Sequence, residues 1–247
     1  MKLKVVLPAF NEARSLESLL PDILSHLGDT GLLYEVCVID DGSTDDTAAV
    51  TYDFCQDAPV RLLTHVKNRG LGRALMTAFQ ALAPECEADD VICTLDADDT
   101  HSPLLLDQLA EKVSEGFDVV IASRFAAGGQ VVGLSLFRRA LSRAAARLLS
   151  AAYPAQGVKD YTSGFRAYRA SVILNALERY GERLITRSDF SCNAELLIKL
   201  LSLGARPAEI PLRLRYDKKR GKSKLRLLKT LRGYMLLMAR SGRLRTR

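Results

Sequence analysis

A parallel, doubly wound α/β sheet over the first half of the chain is the fold class the sequence predicts, and three observations carry it. Short apolar runs recur near residues 3–8, 35–39, 60–65, 91–95 and 118–122. Segments with apolar residues at helical spacing separate them. The runs end in polar turns. Strands that alternate with helices pack as βαβ units around a parallel sheet.

The first strand, residues 3–8, gives way to Pro8-Ala9-Phe10-Asn11-Glu12. Leu16, Leu19, Leu20, Ile23, Leu24 and Leu27 then follow a helical period, which Gly28 and Gly31 close. The second strand runs from Glu35 to Ile39 into Asp40-Asp41-Gly42-Ser43-Thr44-Asp45-Asp46-Thr47, and a helix continues to about residue 55. A third strand over 60–65 turns through Asn68-Arg69-Gly70-Leu71-Gly72 into a helix ending near Ala83. The fourth strand, 91–95, ends in Asp96-Ala97-Asp98-Asp99, with a helix expected from Pro103 to about Ser114. The fifth, 118–122, ends at Ser123-Arg124. Beyond it the pattern changes. A small-residue loop (126–133) precedes a long Arg- and Ala-rich helix over about 136–152. A polar loop over 160–166 leads to a short strand or turn, and helices follow near 171–180 and 190–203. Residues 206–215 read as a last strand, at a sheet edge because of Pro207 and Pro211. We expect one compact domain over 1–215, then a basic loop and a peripheral amphipathic helix within 216–247.

The totals narrow the function classes. With 247 residues, 48% hydrophobic and 26% charged, the chain has the composition of a soluble globular protein. No apolar run reaches the eighteen or so residues of a membrane span, and the first residues run directly into a strand, so no signal peptide is expected. Five scattered cysteines without CxxC spacing read as core thiols in a reducing, cytoplasmic compartment. Net charge is +6, but residues 217–247 hold twelve Lys/Arg against one Asp, +11, which leaves −5 for the remainder. Such a tail suits an anionic membrane surface, nucleic acid or a phosphate ligand. No nucleic-acid motif or aromatic platform accompanies it, so nucleic acid is not expected as a partner.

Three carboxylates within four residues at the end of a buried strand cannot lie inside the core, so they sit where the strand emerges. Ligands of open α/β sheets bind outside those strand ends. Clustered hard oxygens there suit Mg²⁺ or Mn²⁺, which takes one or two carboxylates and completes its shell with water and substrate phosphates. The alternative is a solvated acidic turn before a helix, with Ser102-Pro103 as N-cap and first helical residue. Ser43, Thr44, Asp45 and Asp46 read as turn and capping residues, whereas Asp40 is a candidate for ribose or base hydrogen bonds. There is no GxxxxGK[ST], and Gly70-Leu71-Gly72 is too short to signal a dinucleotide site.

Taken together, these segments resemble a family. Pro8-Ala9-Phe10-Asn11-Glu12, Asp40-Asp41-Gly42-Ser43-Thr44-Asp45, Asn68-Arg69-Gly70-Leu71-Gly72 and Asp96-Ala97-Asp98 have the order and spacing of family 2 (GT-A) glycosyltransferases. Ala122-Ser123-Arg124-Phe125, Asp160-Tyr161-Thr162-Ser163-Gly164-Phe165-Arg166 and Arg220-Gly221-Lys222-Ser223-Lys224 are similar to the dolichol-phosphate mannose synthase, or polyprenyl-phosphate glycosyltransferase, branch.

The resemblance implies a GT-A fold, a nucleotide-sugar donor (GDP-mannose or UDP-glucose), Mg²⁺ or Mn²⁺, and a polyprenyl phosphate acceptor. Carried over by position, Pro8, Ala9, Asn11, Glu12 and Asp40 would line the nucleoside pocket, and Asp96 and Asp98 would serve metal and diphosphate. A Gln often stands in the family where this chain has Thr100, so Asp99, Thr100 or water must complete the metal shell. Arg124, Arg138 and Ser142 match positions that grip the acceptor phosphate. Lys218, where relatives often carry Arg, and Arg220 belong to a segment that resembles the one closing over donor phosphates. A phosphate acceptor needs no general base. Glu195 could be one for a hydroxyl acceptor, or a structural carboxylate. Leu225, Leu228, Leu231 and Leu236, with neighbouring cations, are expected to lie on the inner leaflet or to pack on protein. Competing readings are transfer of another sugar or to a soluble hydroxyl acceptor, and a non-catalytic nucleotide-sugar-binding adaptor.

Overall fold

The computed structural model describes residues 1–219 and 227–239. Arg220 and Leu225 lie outside the described residues, as does the side chain of Leu228. The first half forms β1 (Lys2–Ala9), α1 (Ala13–Thr30), β2 (Leu33–Asp40), α2 (Thr47–Asp57), β3 (Val60–Thr64), α3 (Leu71–Leu82), β4 (Val91–Thr94), α4 (Leu106–Ser114) and β5 (Val119–Ser123). The second half adds β6 (Gln130–Val132), α5 (Leu136–Ala152), β7 (Arg166–Arg169), α6 (Ala170–Tyr180), α7 (Ser191–Ser202), β8 (Pro207–Pro211), β9 (Arg213–Arg215) and α8 (Leu227–Met238).

Seven strands make the main sheet in the order β3-β2-β1-β4-β7-β5-β8. Both faces are covered, which is why the strands read as nearly unbroken apolar runs. Leu3, Val5, Leu7, Val36, Val38 and Cys93 pack toward α1 and α4. The intervening Val6, Cys37, Ile39 and Ile92 pack toward α3, α6, α7 and α8. Helix α1 is held by Leu16, Leu19, Leu20, Ile23 and Leu27, all fully buried, each contributing about 2 kcal/mol of transfer free energy. Gly31, at φ 71°, ends it in the left-handed conformation. At the other end of the sheet, buried Lys4 is paired with Glu35 and Glu85, each at 2.9 Å.

The five strands of the first half run parallel, as expected. Strand β7 does not: it inserts antiparallel between β4 and β5. Thr94 at the end of β4 faces Arg166 at the start of β7. The loop before β7 therefore reaches the same rim as the carboxyl ends of its neighbours. The expected strand over 206–215 divides at Leu212. Strand β8, with its two prolines, takes the sheet edge beside β5, and β9 pairs with β6 in a separate two-stranded sheet. That pairing puts a short strand into the expected 126–133 loop.

Helix α8 packs onto the domain through buried Thr230, Tyr234 and Leu237, and Leu231 lies against the same core. Among its described side chains, Met235 at 59% and Leu236 at 39% are the large apolar ones exposed.

Helix α3 is seated through two glycines. A Cβ at Gly70 would stand 2.3 Å from the carbonyl oxygen of Ser188, and one at Gly72 would stand 1.8 Å from that of Arg187. Gly→Ala in a helix interior ordinarily gains about 1 kcal/mol. Gly72→Ala should instead lose roughly 1–3 kcal/mol through overpacking. Gly28→Ala in α1, with nothing within 4 Å of the new Cβ, should be neutral or stabilising. Urea titration of the two variants checks the contrast.

Candidate active site

A cleft of about 690 Å³ opens along the carboxyl rim of the sheet. Its walls come from the ends of β1, β4 and β5, the loop before β7, the start of α7, and helices α5 and α8. Pro8, Ala9, Glu12, Asp96, Asp98, Arg124, Arg138 and Ser142, all singled out from the sequence, line it together.

Asp96 and Asp98 project where β4 emerges. Asp98 Oδ1 accepts from Thr100 Oγ1 at 2.6 Å and from Thr100 N at 3.2 Å, and Asp98 Oδ2 accepts from the ammonium of Lys219. Burial opposes the charge on Asp98, but Lys219 and His101 outweigh it and hold its carboxyl below the usual range. Burial pushes the Asp96 carboxyl up despite His101, and the neighbouring Asp98 adds to the rise. Asp99 turns away: its φ is 59°, it does not line the cleft, and its nearest cation is Lys218 Nζ at 3.6 Å. The Thr100 hydroxyl donates its proton to Asp98. Among the described residues no cluster of three His, Cys, Asp or Glu side chains could hold a metal. The donor set is thus two hard carboxylates, the number that Mg²⁺ or Mn²⁺ takes from protein when water and phosphate supply the rest. An ammonium already satisfies Asp98, so the position accepts a cation. Gly164 permits close approach: a Cβ there would stand 3.3 Å from Asp96 Oδ1 and 3.0 Å from Asn193 Nδ2.

Guanidinium groups line the opposite wall. Arg124 is clamped by fully buried Asp160, through Nε–Oδ2 and Nη2–Oδ1 contacts of 2.8 Å each, and Nη2 also reaches Thr162 Oγ1 at 2.5 Å. Burial would raise the Asp160 carboxyl, but Arg124 and the N–H groups of Thr162 and Arg124 bring it down to about 2. This leaves Arg124 Nη1 for the cleft. Arg138 and Ser142 stand one turn apart on α5, with Arg138 Nη1 at 3.3 Å from Tyr216 Oη.

At the far end, Asn11 and Asp40 lie outside the cleft lining. Asn11, at φ 52°, accepts from Thr44 N at 2.7 Å, and Asp40 Oδ1 accepts from Ser43 N at 2.9 Å. Asp41 lines the cleft instead. It receives Arg69 N at 2.9 Å, Gly70 N at 2.7 Å and His65 Nδ1 at 2.6 Å, anchoring the turn that starts α3. Glu195 is engaged by Thr186 N and Oγ1, Arg187 N and Lys199 Nζ at 2.6–2.9 Å, and does not line the cleft. Lys218 also stays outside the lining, whereas its neighbour Lys219 enters it.

Sequence reasoning missed Asp41, His101, Asp189, Asn193, Lys219 and Thr230 on the cleft wall. Asp41 shares its strand-end signal with Asp40, and Lys219 lies in the basic run. His101 follows directly on the acidic turn, whereas Asp189, Asn193 and Thr230 carry no local signal, because chain crossings bring them in.

The sequence model of glycosyl transferase family 2 matches residues 4–175. Dolichol-phosphate mannosyltransferase of Pyrococcus furiosus is 33% identical over 174 residues, 70% of this chain and 47% of that protein. Undecaprenyl-phosphate 4-deoxy-4-formamido-L-arabinose transferase of Edwardsiella ictaluri is 31% identical over 229 residues, 92% of this chain and 64% of that protein. The chain therefore spans roughly half to two thirds of these relatives. Among solved structures, glucosyl-3-phosphoglycerate synthase from Mycobacterium tuberculosis, in complex with Mn²⁺, UDP and glucosyl-3-phosphoglycerate, aligns with a TM-score of 0.70 at 26% identity, over 98% of this chain and 80% of that one.

Asp160→Asn strips a buried arginine of its counter-charge and should cost about 3–5 kcal/mol at neutral pH. Because Asp160 titrates lower in the folded protein than in the unfolded chain, its contribution is present above about pH 4 and is lost as pH falls toward 2. Urea midpoints over that window should fall more steeply for the wild type than for the variant.

Proposed function

The chain belongs to glycosyl transferase family 2, and from that premise we propose that it moves a hexose, mannose in the first instance, from a nucleotide sugar to a polyprenyl phosphate with inversion at the anomeric carbon. One observation carries this reading: the carboxylates Asp96 and Asp98 and the anion-binding groups Arg124, Arg138 and Ser142 line one cleft. A nucleoside diphosphate bridged by a cation fits the first wall, and a second phosphate fits the other.

Each wall has a distinct chemical task. A phosphate monoester is already an oxyanion, so the acceptor oxygen attacks the anomeric carbon without a general base. The bond to the nucleoside diphosphate breaks as the new bond forms. Arg124, held in one orientation by Asp160, directs Nη1 at the acceptor phosphate, and Arg138 and Ser142 add charge-assisted and hydroxyl hydrogen bonds. Their work is in-line positioning. A divalent cation held by Asp96 and Asp98 would neutralise charge on the departing diphosphate. The basic segment with Lys218 and Arg220 would support the same phosphates. Pro8, Ala9 and Glu12, with Asn11 and Asp40 shaping the turns behind them, would receive the nucleoside. Mannose is the favoured sugar, from the mannosyltransferase relative, with GDP-mannose as the donor that the family resemblance implies. UDP-glucose is second, from the neighbour crystallised with UDP.

A soluble hydroxyl acceptor is the second reading. Glu195 is too engaged to act as its base, but Asp189 lines the cleft and accepts from Ser191 N at 2.9 Å through Oδ1, so it is the residue this reading would use.

No helix among the described residues is long and apolar enough to cross a membrane. For a lipid acceptor we place the contact at the start of α5, where Leu136 and Phe137 are 79% and 72% exposed beside Arg138, Arg143 and Arg147. Cations near an anionic inner-leaflet surface add roughly 1 kcal/mol each before screening.

Asp98→Asn should lower turnover of nucleotide sugar with polyprenyl phosphate by about 10²-fold or more, while Asp189→Asn should leave at least half of it. Reversal of that order, with simple alcohols as the better acceptors, favours the hydroxyl reading. Leu136→Ser/Phe137→Ser should release the protein from anionic liposomes in flotation at low salt, and no flotation of the wild type refutes the membrane contact.

A further inference from the structure

The carboxylate proposed to hold the cation is already occupied by the chain itself. Lys219 Nζ sits on Asp98 Oδ2, with the two side chains only 12% and 14% exposed. The other oxygen of Asp98 is taken by Thr100. A divalent ion at Asp98 therefore has to displace a donor, and an ammonium in contact with the same carboxylate is the one it repels.

The backbone around Lys219 is fastened independently of that contact. Arg215 N donates to Thr100 O at 2.9 Å, which ties the end of β9 to the acidic turn. Lys218 pairs with Asp99 at 3.6 Å. The segment would thus keep its register if the Lys219 side chain swung out. Glu12, whose charge Lys219 already feels across the cleft, provides a second anionic station.

We infer that Lys219 is an internal counter-ion for Asp98 that competes directly with the divalent cation, so that cation binding requires its side chain to leave the carboxylate. The inference rests on the reading of Asp96 and Asp98 as the cation site. Lys219 thereby holds Asp98 oriented toward the cleft, and lowers the affinity of the full chain for the bare cation.

The test reads metal binding, not turnover: free Mn²⁺ is measured by electron paramagnetic resonance during titration of the full chain without nucleotide. Lys219→Met removes the competitor and should bind Mn²⁺ about tenfold more tightly than the wild type, as expected when a competent state rises from a minor to the dominant population. Arg215→Met removes the same charge from the same segment but leaves the Arg215 N–Thr100 O bond and Asp98 untouched, and should change affinity less than twofold. Asp98→Asn should lose binding. Unchanged or weaker binding by Lys219→Met, or an equal gain in Arg215→Met, overturns the competition while Asp98-dependent binding still supports the cation site. Binding by the wild type that Asp98→Asn does not weaken, or none in the wild type and Lys219→Met alike, overturns both.

Discussion

The ion pair between Asp160 and Arg124 is the interaction on which the cleft depends. Neither charge is tolerable alone in so buried a place, since desolvation of an unpaired ion costs several kcal/mol. Together they anchor more than each other. Asp160 Oδ1 also accepts from Thr162 N and Ser163 N at 3.0 Å, while Glu209 on β8 receives Lys159 N and Asp160 N at 2.6 and 2.7 Å. The 159–163 loop is thereby pinned to both β5 and β8. Gly164 follows at once, lying against Asp96 and Asn193 and giving its carbonyl to Thr94 Oγ1 at 2.7 Å. One loop sets the acidic wall and the guanidinium wall in a single frame.

That loop reaches the rim only because β7 is antiparallel. A parallel strand in the same slot would present its following turn there and send its preceding loop to the opposite edge. Fully buried Arg166 completes the junction, with Nη1 on Asn193 O at 2.6 Å and Nη2 on Tyr161 O at 2.8 Å. It joins the loop to the start of α7, where Asp189 and Asn193 enter the cleft. The departure from a wholly parallel sheet is therefore what builds the second half of the site.

Much of this was legible in the residues. Apolar strands ending in carboxylates identified the rim, and Leu16, Leu19, Leu20, Ile23 and Leu27 identified the buried face of α1, because side-chain period is a local property. A short strand or turn after the 160–166 loop was legible, but the antiparallel place of β7 was not, because its pairing is set by distant β4 and β5. The split at Leu212 was hidden for the same reason, since β9 finds its partner in the three residues of β6. The basic run after Asp217 was visible, but the lysine that enters the cleft depends on the turn at Tyr216. The inward face of α8 was equally hidden, because Leu231 and Leu236 look alike in sequence while only the former meets the core.

The charge left on the guanidinium wall bears on the acceptor. Asp160 cancels Arg124, yet among the described residues no carboxylate pairs with Arg138, whose partner is the phenol of Tyr216. The wall thus keeps a net positive field facing the cleft, and a phosphate monoester meets it with up to two negative charges. A neutral alcohol would leave that field unmatched and would still require a base near the anomeric carbon. Glu195 cannot be that base, because four donors occupy its carboxylate behind the 185–188 loop. An anionic acceptor accounts for the arginines and for the engaged glutamate at once, whereas a neutral hydroxyl acceptor would need Asp189 and leave the arginines unexplained.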